Sequence, residues 1–482
     1  MPRAQNTVLI LSDEHNRNIL GCYGHPFIRT PKIDQLATRG TRFTSAYCNS
    51  PICVPSRASL ATGQYVHRIR CWDNAIPFHG QHPSWHSVIR DAGSNVTSIG
   101  KLHFRSADDD NGFSEEILPM HILEGKGDLK GLLRQDPPPK VGADEMARDA
   151  GTGESDYFAF DRKVAQTSAA WIAEAAASQT RPWILFVSFV MPHFPLIVPE
   201  EYYALYAHLN LNQLQSGLNQ PPPDHPVIKQ LRSSFDYDTY FDDEKRAVAL
   251  RAYFGMVTAL DENIGRVLSA LKSAGIEDET RVIYTSDHGD NLGNRGMWGK
   301  CVHYEDSVAV PMIAVGDGFP VKVEKTPVSL VDIYPTLLDS SGTVQPDSYP
   351  RLDGTSLFDI VRATDEERVV FSEYHAVYSR AGHFMVRKGD WKLNYYVDGP
   401  PQLFNLKTDP EESIDLADNP DHIGKRDELV KALYAIADPA EVSAKALSDQ
   451  QAAIEANGGI EAVLNSVEIP HTPVPSGQTN SL

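Results

Sequence analysis

Cysteine is scarce in this chain. The 482 residues include five cysteines, Cys22, Cys48, Cys53, Cys71 and Cys301. So small and odd a set excludes the disulfide framework that small secreted domains depend on. We therefore expect reduced thiols and a cytoplasmic location.

Long apolar runs are also missing. The first run, Val8–Leu11, is too short for the core of a secretory signal, and the charged Asp13 and Glu14 follow it closely. No other run approaches the roughly 20 residues that a membrane-spanning helix needs. The sequence therefore predicts a protein with no signal peptide and no membrane partner.

Positive charge is in deficit. Lysine and arginine number 44 against 64 aspartates and glutamates, which gives a formal net charge of -20. This balance excludes nucleic acid and anionic membranes as main partners. A small anionic substrate stays open, because a local cluster of cations dominates within a Debye length of about 8–10 Å.

The apolar runs that are present predict buried strands. Three of them lack the alternation of a half-exposed strand, as is typical of a sheet covered on both faces: Val8–Leu11, 183–190 and 281–285. A helical pattern over 245–271 lies between the last two. Polar residues follow each strand. Because ligands bind at the carboxyl ends of parallel strands, we expect a doubly wound, mostly parallel α/β sheet flanked by helices, with a site at one edge.

The later part of the chain has a different pattern. Short strand-like runs separated by Gly, Asp and Pro turns begin near residue 369, and a helical pattern lies near 425–437. We expect a large catalytic domain over 1–365, a small α+β domain with an antiparallel sheet over 366–470, and a tail over 471–482. The Gly-, Asp- and Pro-rich stretch 105–155 and the proline run 221–223 predict long surface loops.

The segment Cys53-Val54-Pro55-Ser56-Arg57 is a candidate catalytic site. Cys53 precedes a predicted helix, whose amino terminus favours a developing negative charge, and Arg57 adds a fixed positive group. The alternative is a buried free cysteine with no function. Asp13, Asp287 and His288 follow two predicted strands and offer ligands for a hard divalent cation. Their alternative role is to cap turns.

The same segment, continued by Leu60, Thr62 and Gly63, resembles the signature of the formylglycine-dependent sulfatases, which belong to the alkaline phosphatase superfamily. The resemblance implies an alkaline-phosphatase-like fold. It also implies that a formylglycine-generating enzyme oxidises Cys53 to 3-oxoalanine, the formylglycine. One divalent cation is implied, Ca²⁺ first, with Mn²⁺ or Mg²⁺ as alternatives. Its implied ligands are Asp13, Glu14, the modified Cys53, Asp287 and His288.

Lys101 and His103 are two residues apart and share one face if that segment is extended. Two such groups suit a tetrahedral oxyanion, although a solvated strand end is the alternative. Sulfatases show this Lys-x-His pair, whereas the related phosphonate monoester hydrolases have uncharged residues there. His193 and Lys300 match further catalytic positions of the family, and Asn74 matches a substrate contact of the choline sulfatase and phosphonate hydrolase branch.

The resemblance thus implies hydrolysis of a small sulfate monoester by S–O cleavage. Its catalytic set is Cys53, Arg57, Lys101, His103, His193 and Lys300, and its substrate-binding set is Asn74, Lys101, His193 and Lys300. Hydrolysis of phosphonate monoesters or phosphodiesters on the same scaffold is the main alternative, and a non-catalytic binding protein is another. The alcohol stays open among choline, sugars, alkyl and aryl alcohols. Relatives that form dimers or tetramers make a homo-oligomer a further expectation.

Overall fold

The computed structural model describes residues 3–135, 142–467 and 471–477. An eight-stranded sheet lies at its centre. The strands are β1 (Asn6–Asp13), β2 (Thr41–Phe43), β3 (Val96–Lys101), β4 (Glu115–Met120), β5 (Ile184–Pro192), β6 (Thr280–Ser286), β7 (Met312–Val315) and β8 (Lys322–Glu324). Their order across the sheet is β8-β2-β7-β6-β1-β5-β3-β4.

The sheet is mostly parallel, as predicted. Strands β6, β1, β5, β3 and β4 are parallel neighbours, and β7 pairs antiparallel with both β6 and β2. Both faces are covered, because alternate residues of β1 enter different cores: Val8 and Ile10 belong to one, Leu9 and Leu11 to the other. This double burial explains the continuous apolar run in the sequence.

Three helices are important for the site: one carries Cys53, and two cover one face of the sheet. They are α1 (Cys53–Thr62), α2 (Asp156–Ser178) and α3 (Asp243–Ser273). The predicted helix over 245–271 is α3, which packs on α2, and both contact β5. The other α-helices of the described residues are Pro31–Ala37, Val66–Ile69, Trp85–Asp91, Ala143–Asp149, Glu200–Tyr203, Leu211–Leu214, Pro226–Phe235, Tyr237–Tyr240, Glu305–Val308, Ile333–Ser341, Leu357–Arg362, Ile423–Ile436, Pro439–Ala456 and Gly459–Leu464.

A second, smaller sheet follows, as predicted. It is antiparallel, with neighbours in sequence order: β9 (Val369–Tyr374), β10 (His383–Lys388), β11 (Trp391–Tyr396) and β12 (Gln402–Asn405). The helix Ile423–Ile436 packs on it through Leu429 and Leu433. The domain boundaries at 365 and 470 stay a prediction.

The predicted loop over 105–155 is partly wrong. It contains β4 and the helix Ala143–Asp149, because Met120 and Met146 are buried in the core. The proline run 137–139 lies outside the described residues. The run 221–223 contains neither helix nor strand, as predicted. Within the described ranges, no helix is both long and apolar enough to cross a membrane.

Candidate active site

Arg57 joins four strands near the carboxyl edge of the sheet. Its buried guanidinium donates to Asp13 Oδ2 at 3.0 Å, at the end of β1, and to Asp287 Oδ2 at 2.7 Å, directly after β6. It also donates to the carbonyl of Lys101 at 2.7 Å and to Ser188 Oγ at 2.9 Å, on β3 and β5. A planar fork with five donors suits this set, since one side chain fixes both carboxylates.

Cys53 is the first residue of α1, and all ten residues of that helix are buried. The helix ends at Gly63, whose left-handed φ of 64° and close approach to Tyr334 both favour glycine. Asn74 Oδ1 accepts from the free N–H of Val54 at 3.2 Å and so caps the first turn. Helix α1 thus holds its amino terminus, and Cys53 with it, at the site.

Charged and metal-binding groups surround the Cys53 thiol. Sγ lies 3.1 Å from His288 Nε2, 3.6 Å from Asp13 Oδ1 and 3.1 Å from Lys300 Nζ. Burial, assisted by the negative charge of Asp13, raises the pKa of the thiol to about 12. An unmodified Cys53 is therefore a protonated thiol at neutral pH and a poor nucleophile.

Four side chains can hold a cation together. The ligand atoms of Asp13, Cys53, Asp287 and His288 all lie within 4.8 Å of one another. His288 Nδ1 lies 3.0 Å from the carbonyl of Gly289, a contact in which Nδ1–H donates. That tautomer turns the Nε2 lone pair toward the cluster, as a metal-binding histidine requires.

Asp13 is kept ionised. Burial opposes its charge, but Lys101, His193 and Arg57 outweigh burial and hold the pKa of Asp13 well below its usual range. Lys101 Nζ lies 2.7 Å from Asp13 Oδ2. A permanently negative oxygen ligand is thus available at every physiological pH.

Glu14 forms a second cluster with Asp13 and His193, whose ligand atoms lie within 4.8 Å of one another. Its backbone has a φ of 67°, outside the usual range of a non-glycine residue, and its N–H donates to Asp287 Oδ1 at 3.2 Å. Its Oε2 is 3.2 Å from Lys300 Nζ and 3.3 Å from His193 Nε2. Burial raises the pKa of Glu14 to about 7, against the lowering effect of Lys300. Metal ligation by Glu14 stays a prediction.

Lys300 and His193 form a pair above Cys53. Lys300 Nζ lies 2.8 Å from His193 Nε2, while His193 Nδ1 lies 2.6 Å from the carbonyl of Phe194. The ammonium therefore donates to a neutral imidazole, in agreement with burial and Lys300 lowering the pKa of His193. Asp290 Oδ1 accepts from Gly299 N at 2.8 Å and fixes the Lys300 loop.

His103 reaches the pocket by a turn. Strand β3 ends at Lys101, and His103 has a φ of 56°, so the condition of an extended segment is not met at the second residue of this pair. Both ring nitrogens of His103 are buried without a hydrogen-bond partner among the described residues. These two unpartnered polar atoms at the pocket are therefore available to bind a ligand.

The described residues place all the predicted site residues at one pocket or directly beneath it, and they add walls that the sequence did not indicate. The added lining residues include Ile122, Leu123, Asp128, Met146, Phe235, Tyr237, Val377 and His471. These residues come from separate loops without a shared motif. For the four that lie between 105 and 155, the one sequence signal was the unusual length of that stretch.

Two family models and several known proteins match most of this chain. The chain matches the sulfatase family model over residues 5–343 and the model described as N-sulphoglucosamine sulphohydrolase, C-terminal, over residues 293–438. It is 31% identical over 436 residues to a choline-sulfatase of Rhizobium meliloti (strain 1021), covering 86% of this chain and 83% of that protein. It is 29% identical to human arylsulfatase K, with coverages of 86% and 79%.

Solved structures show the same fold. The phosphonate monoester hydrolase of Agrobacterium radiobacter superposes with a TM-score of 0.70 at 25% identity, covering 90% of this chain and 95% of that one. The protein BT4656, solved in complex with its substrate D-glucosamine-2-N,6-O-disulfate, superposes with a TM-score of 0.67 at 20% identity, covering 93% of this chain and 99% of that one. The predicted alkaline-phosphatase-like architecture is confirmed.

Proposed function

We propose that this chain, which belongs to the sulfatase family and is a sulfuric ester hydrolase, cleaves its ester through a formylglycine made from Cys53 and one divalent cation. The observation that carries the proposal is the placement of Cys53. It begins a buried helix and lies within 3.1–3.6 Å of His288, Asp13 and Lys300. Oxidation to the aldehyde replaces an inert thiol with a group whose hydrate supplies the attacking oxygen and later releases sulfate by C–O cleavage.

The donor set fits a divalent cation. Two buried carboxylates and one oriented imidazole nitrogen converge beside Cys53. In formylglycine the sulfur of Cys53 is replaced by oxygen, so all the donors are then oxygen or nitrogen. We propose Asp13, Asp287, His288 and the modified Cys53 as ligands, with Glu14 as a candidate fifth. Ca²⁺ is the proposed ion, and Mn²⁺ and Mg²⁺ are the alternatives. When bound, the cation lowers the cost of negative charge on oxygen.

The remaining residues bind and transfer protons. We propose that Lys101, Lys300 and Asn74 contact the sulfate group, with Arg57 holding Asp13 and Asp287 in place. His193 and Lys300, whose nitrogens are 2.8 Å apart, hold one proton between them for the leaving alcohol. His103 accepts a proton when the modified Cys53 releases sulfate, since its ring nitrogens are unpartnered.

Phosphonate monoester hydrolysis is the second candidate. The structural similarity to a hydrolase of that name favours it, because both substrates are tetrahedral anions. The charged Lys101 and the buried His103 favour the sulfate ester instead. Comparing kcat/KM for 4-nitrophenyl sulfate and 4-nitrophenyl phenylphosphonate separates the two. A higher value for the phosphonate would reverse the assignment.

The central experiment is coexpression with a formylglycine-generating enzyme. Coexpression is needed because Cys53 is 1% exposed in the folded chain. Mass spectrometry of the peptide containing Cys53 should show the aldehyde, and sulfate release should scale with its occupancy. Cys53→Ala should abolish turnover, whereas Cys48→Ala, at a buried thiol outside the pocket, should leave it intact. Activity in Cys53→Ala would refute the proposal.

The cytoplasmic location and the homo-oligomer stay predictions. The alcohol stays open among choline, sugars, alkyl and aryl alcohols. The similarity to a choline-sulfatase keeps choline sulfate in the substrate panel. In the stretch 105–135, Phe113 is buried away from the pocket and His121 pairs with Glu116, so neither forms a cage for choline.

A further inference from the structure

The pocket continues outward from the sulfate site between walls that are largely apolar. Five separate segments contribute these walls: the loop 122–131, the start of the helix Ala143–Asp149, residues 235–237, residues 376–377 and residues 471–472. Their apolar members are Ile122, Leu123, Ala143, Met146, Phe235, Ala376 and Val377. An alcohol bound here loses its water to hydrocarbon surface, which favours an apolar group.

Aromatic rings flank the point where the alcohol leaves. Phe194 stacks on His193 with ring centroids 4.4 Å apart, and Lys300 Nζ lies 5.8 Å from the centre of the Phe194 ring. Phe235 stacks on Tyr237 at 5.5 Å. Flat ring faces next to His193 and Lys300 suit a planar or compact apolar alcohol.

The charged groups of the walls are acidic. Among the described lining residues, His103, His193 and Lys300 lie at the sulfate end, while the outer wall holds the imidazole of His471, whose pKa is lowered by burial. The wall adds Asp73 and Asp128. Asp73 accepts from Gln450 Nε2 at 2.6 Å, and Gln450 Oε1 accepts from Arg134 at 2.9 Å, so Arg134 offsets the Asp73 charge.

Asp128 is different from Asp73. It is half-buried, and the described residues give its carboxylate neither a hydrogen bond nor an ion pair. It lies on the loop that contacts the substrate-side residue Asn74, since a side chain at Gly127 would meet the Asn74 carbonyl. An uncompensated carboxylate in a low-dielectric wall repels a second anion on the bound ester.

From these walls we propose that the pocket selects esters whose alcohol is compact, apolar and free of negative charge, either neutral or cationic. Uronic acids and multiply sulfated sugars are disfavoured, because their extra anions meet no lysine or arginine among the described lining residues outside the sulfate end. The inference rests on the proposed sulfatase function and adds the substrate class to it. Asp128 is its specificity-determining residue.

Three esters test the inference on the holoenzyme: phenyl sulfates that carry a meta nitro, a meta carboxylate or a meta trimethylammonium group, of which the nitro and carboxylate groups are isosteric. We expect kcat/KM for the nitro ester to exceed that for the carboxylate ester by about tenfold or more, given a partly screened charge pair. Asp128→Asn should shrink this ratio about threefold or more. It should also lower the value for the cationic ester relative to the nitro ester. Comparing ratios between variants cancels the different reactivities of the phenols.

Glu124→Gln is the matched control. Glu124 is an exposed acid on the same loop, and it does not line the pocket. It should leave every ratio at the wild-type value. A wild-type enzyme that cleaves the carboxylate ester as efficiently as the nitro ester would overturn the inference, as would an unchanged ratio in Asp128→Asn.

The two proposals fail in different ways. If an enzyme with verified formylglycine releases sulfate from none of the three esters, the sulfatase proposal fails and this inference fails with it. If sulfate is released without charge preference, only the substrate class is wrong. A thermal melt of each variant confirms that the folded protein is being compared.

Discussion

Replacing Arg57 with lysine should loosen the site without removing its charge. The guanidinium makes four hydrogen bonds, to Asp13, Asp287, the Lys101 carbonyl and Ser188. An ammonium placed between the two carboxylates leaves the other two bonds unmade. Bonds from a charged donor contribute about 1.5–3 kcal/mol each, so we expect a loss of about 3–6 kcal/mol in the free energy of unfolding.

Part of this loss should appear as weaker metal binding. The two carboxylates that Arg57 holds are proposed ligands, and removing the group that orients a ligand typically costs 10–100-fold in affinity. The assays are a thermal melt, metal content by mass spectrometry of the purified protein, and kcat/KM corrected for formylglycine occupancy. We expect all three to fall together.

Arg281→Lys is the matched control. Arg281 is also fully buried, at the opposite end of β6, where it donates to carbonyls of Arg3 and Asp317. It should lower the melting temperature comparably but leave metal content and kcat/KM at wild-type values. Equal metal affinity in Arg57→Lys and Arg281→Lys would refute the reasoning.

Three further predictions concern the metal, acid stability and the outer pocket. Chelation should lower the melting temperature of the wild type, since an ion at 100 times its Kd stabilises by about 2.7 kcal/mol, and an unchanged melt would contradict the metal site. Burial opposes the charge of Glu373, yet His67 and His375 lower its pKa to about 2, below the unfolded value. Its stabilisation, about 3 kcal/mol, is therefore complete above pH 4.5 and lost as pH falls toward 2, so melts of Glu373→Gln should depend less on pH there than those of the wild type; parallel profiles would argue against it. His471→Ala, which removes a ring 6.3 Å from that of Phe194, should raise KM more than it lowers kcat, and an unchanged KM would show that His471 makes no substrate contact.

The sequence predicted the strands that carry the site well. Strands β1, β5 and β6 are covered on both faces, so their apolar runs were unbroken and their ends were marked by Asp13, His193 and Asp287. Each marker follows directly from a local pattern. The parallel arrangement then brings the markers to one edge regardless of the length of chain between them.

The pocket walls could not be predicted in the same way. Met146 lies on a short helix and Asp128 on a loop, both inside a polar stretch, and their placement depends on segments far away in the sequence. Tyr157, for example, donates to the carbonyl of Thr472 at 2.5 Å, across 315 residues. The turn at His103 also escaped prediction, because its positive φ comes from packing and not from residue type.

The hydrogen bonds of the Arg57 guanidinium also bear on how the chain folds. Its side-chain acceptors lie 44, 131 and 230 residues away along the chain, on strands that must first find their neighbours. Closing such distant contacts is the slow part of forming a parallel sheet. During refolding, recovery of turnover should therefore lag behind recovery of the helical circular dichroism signal. The time at which activity returns then reports when the last strands have paired.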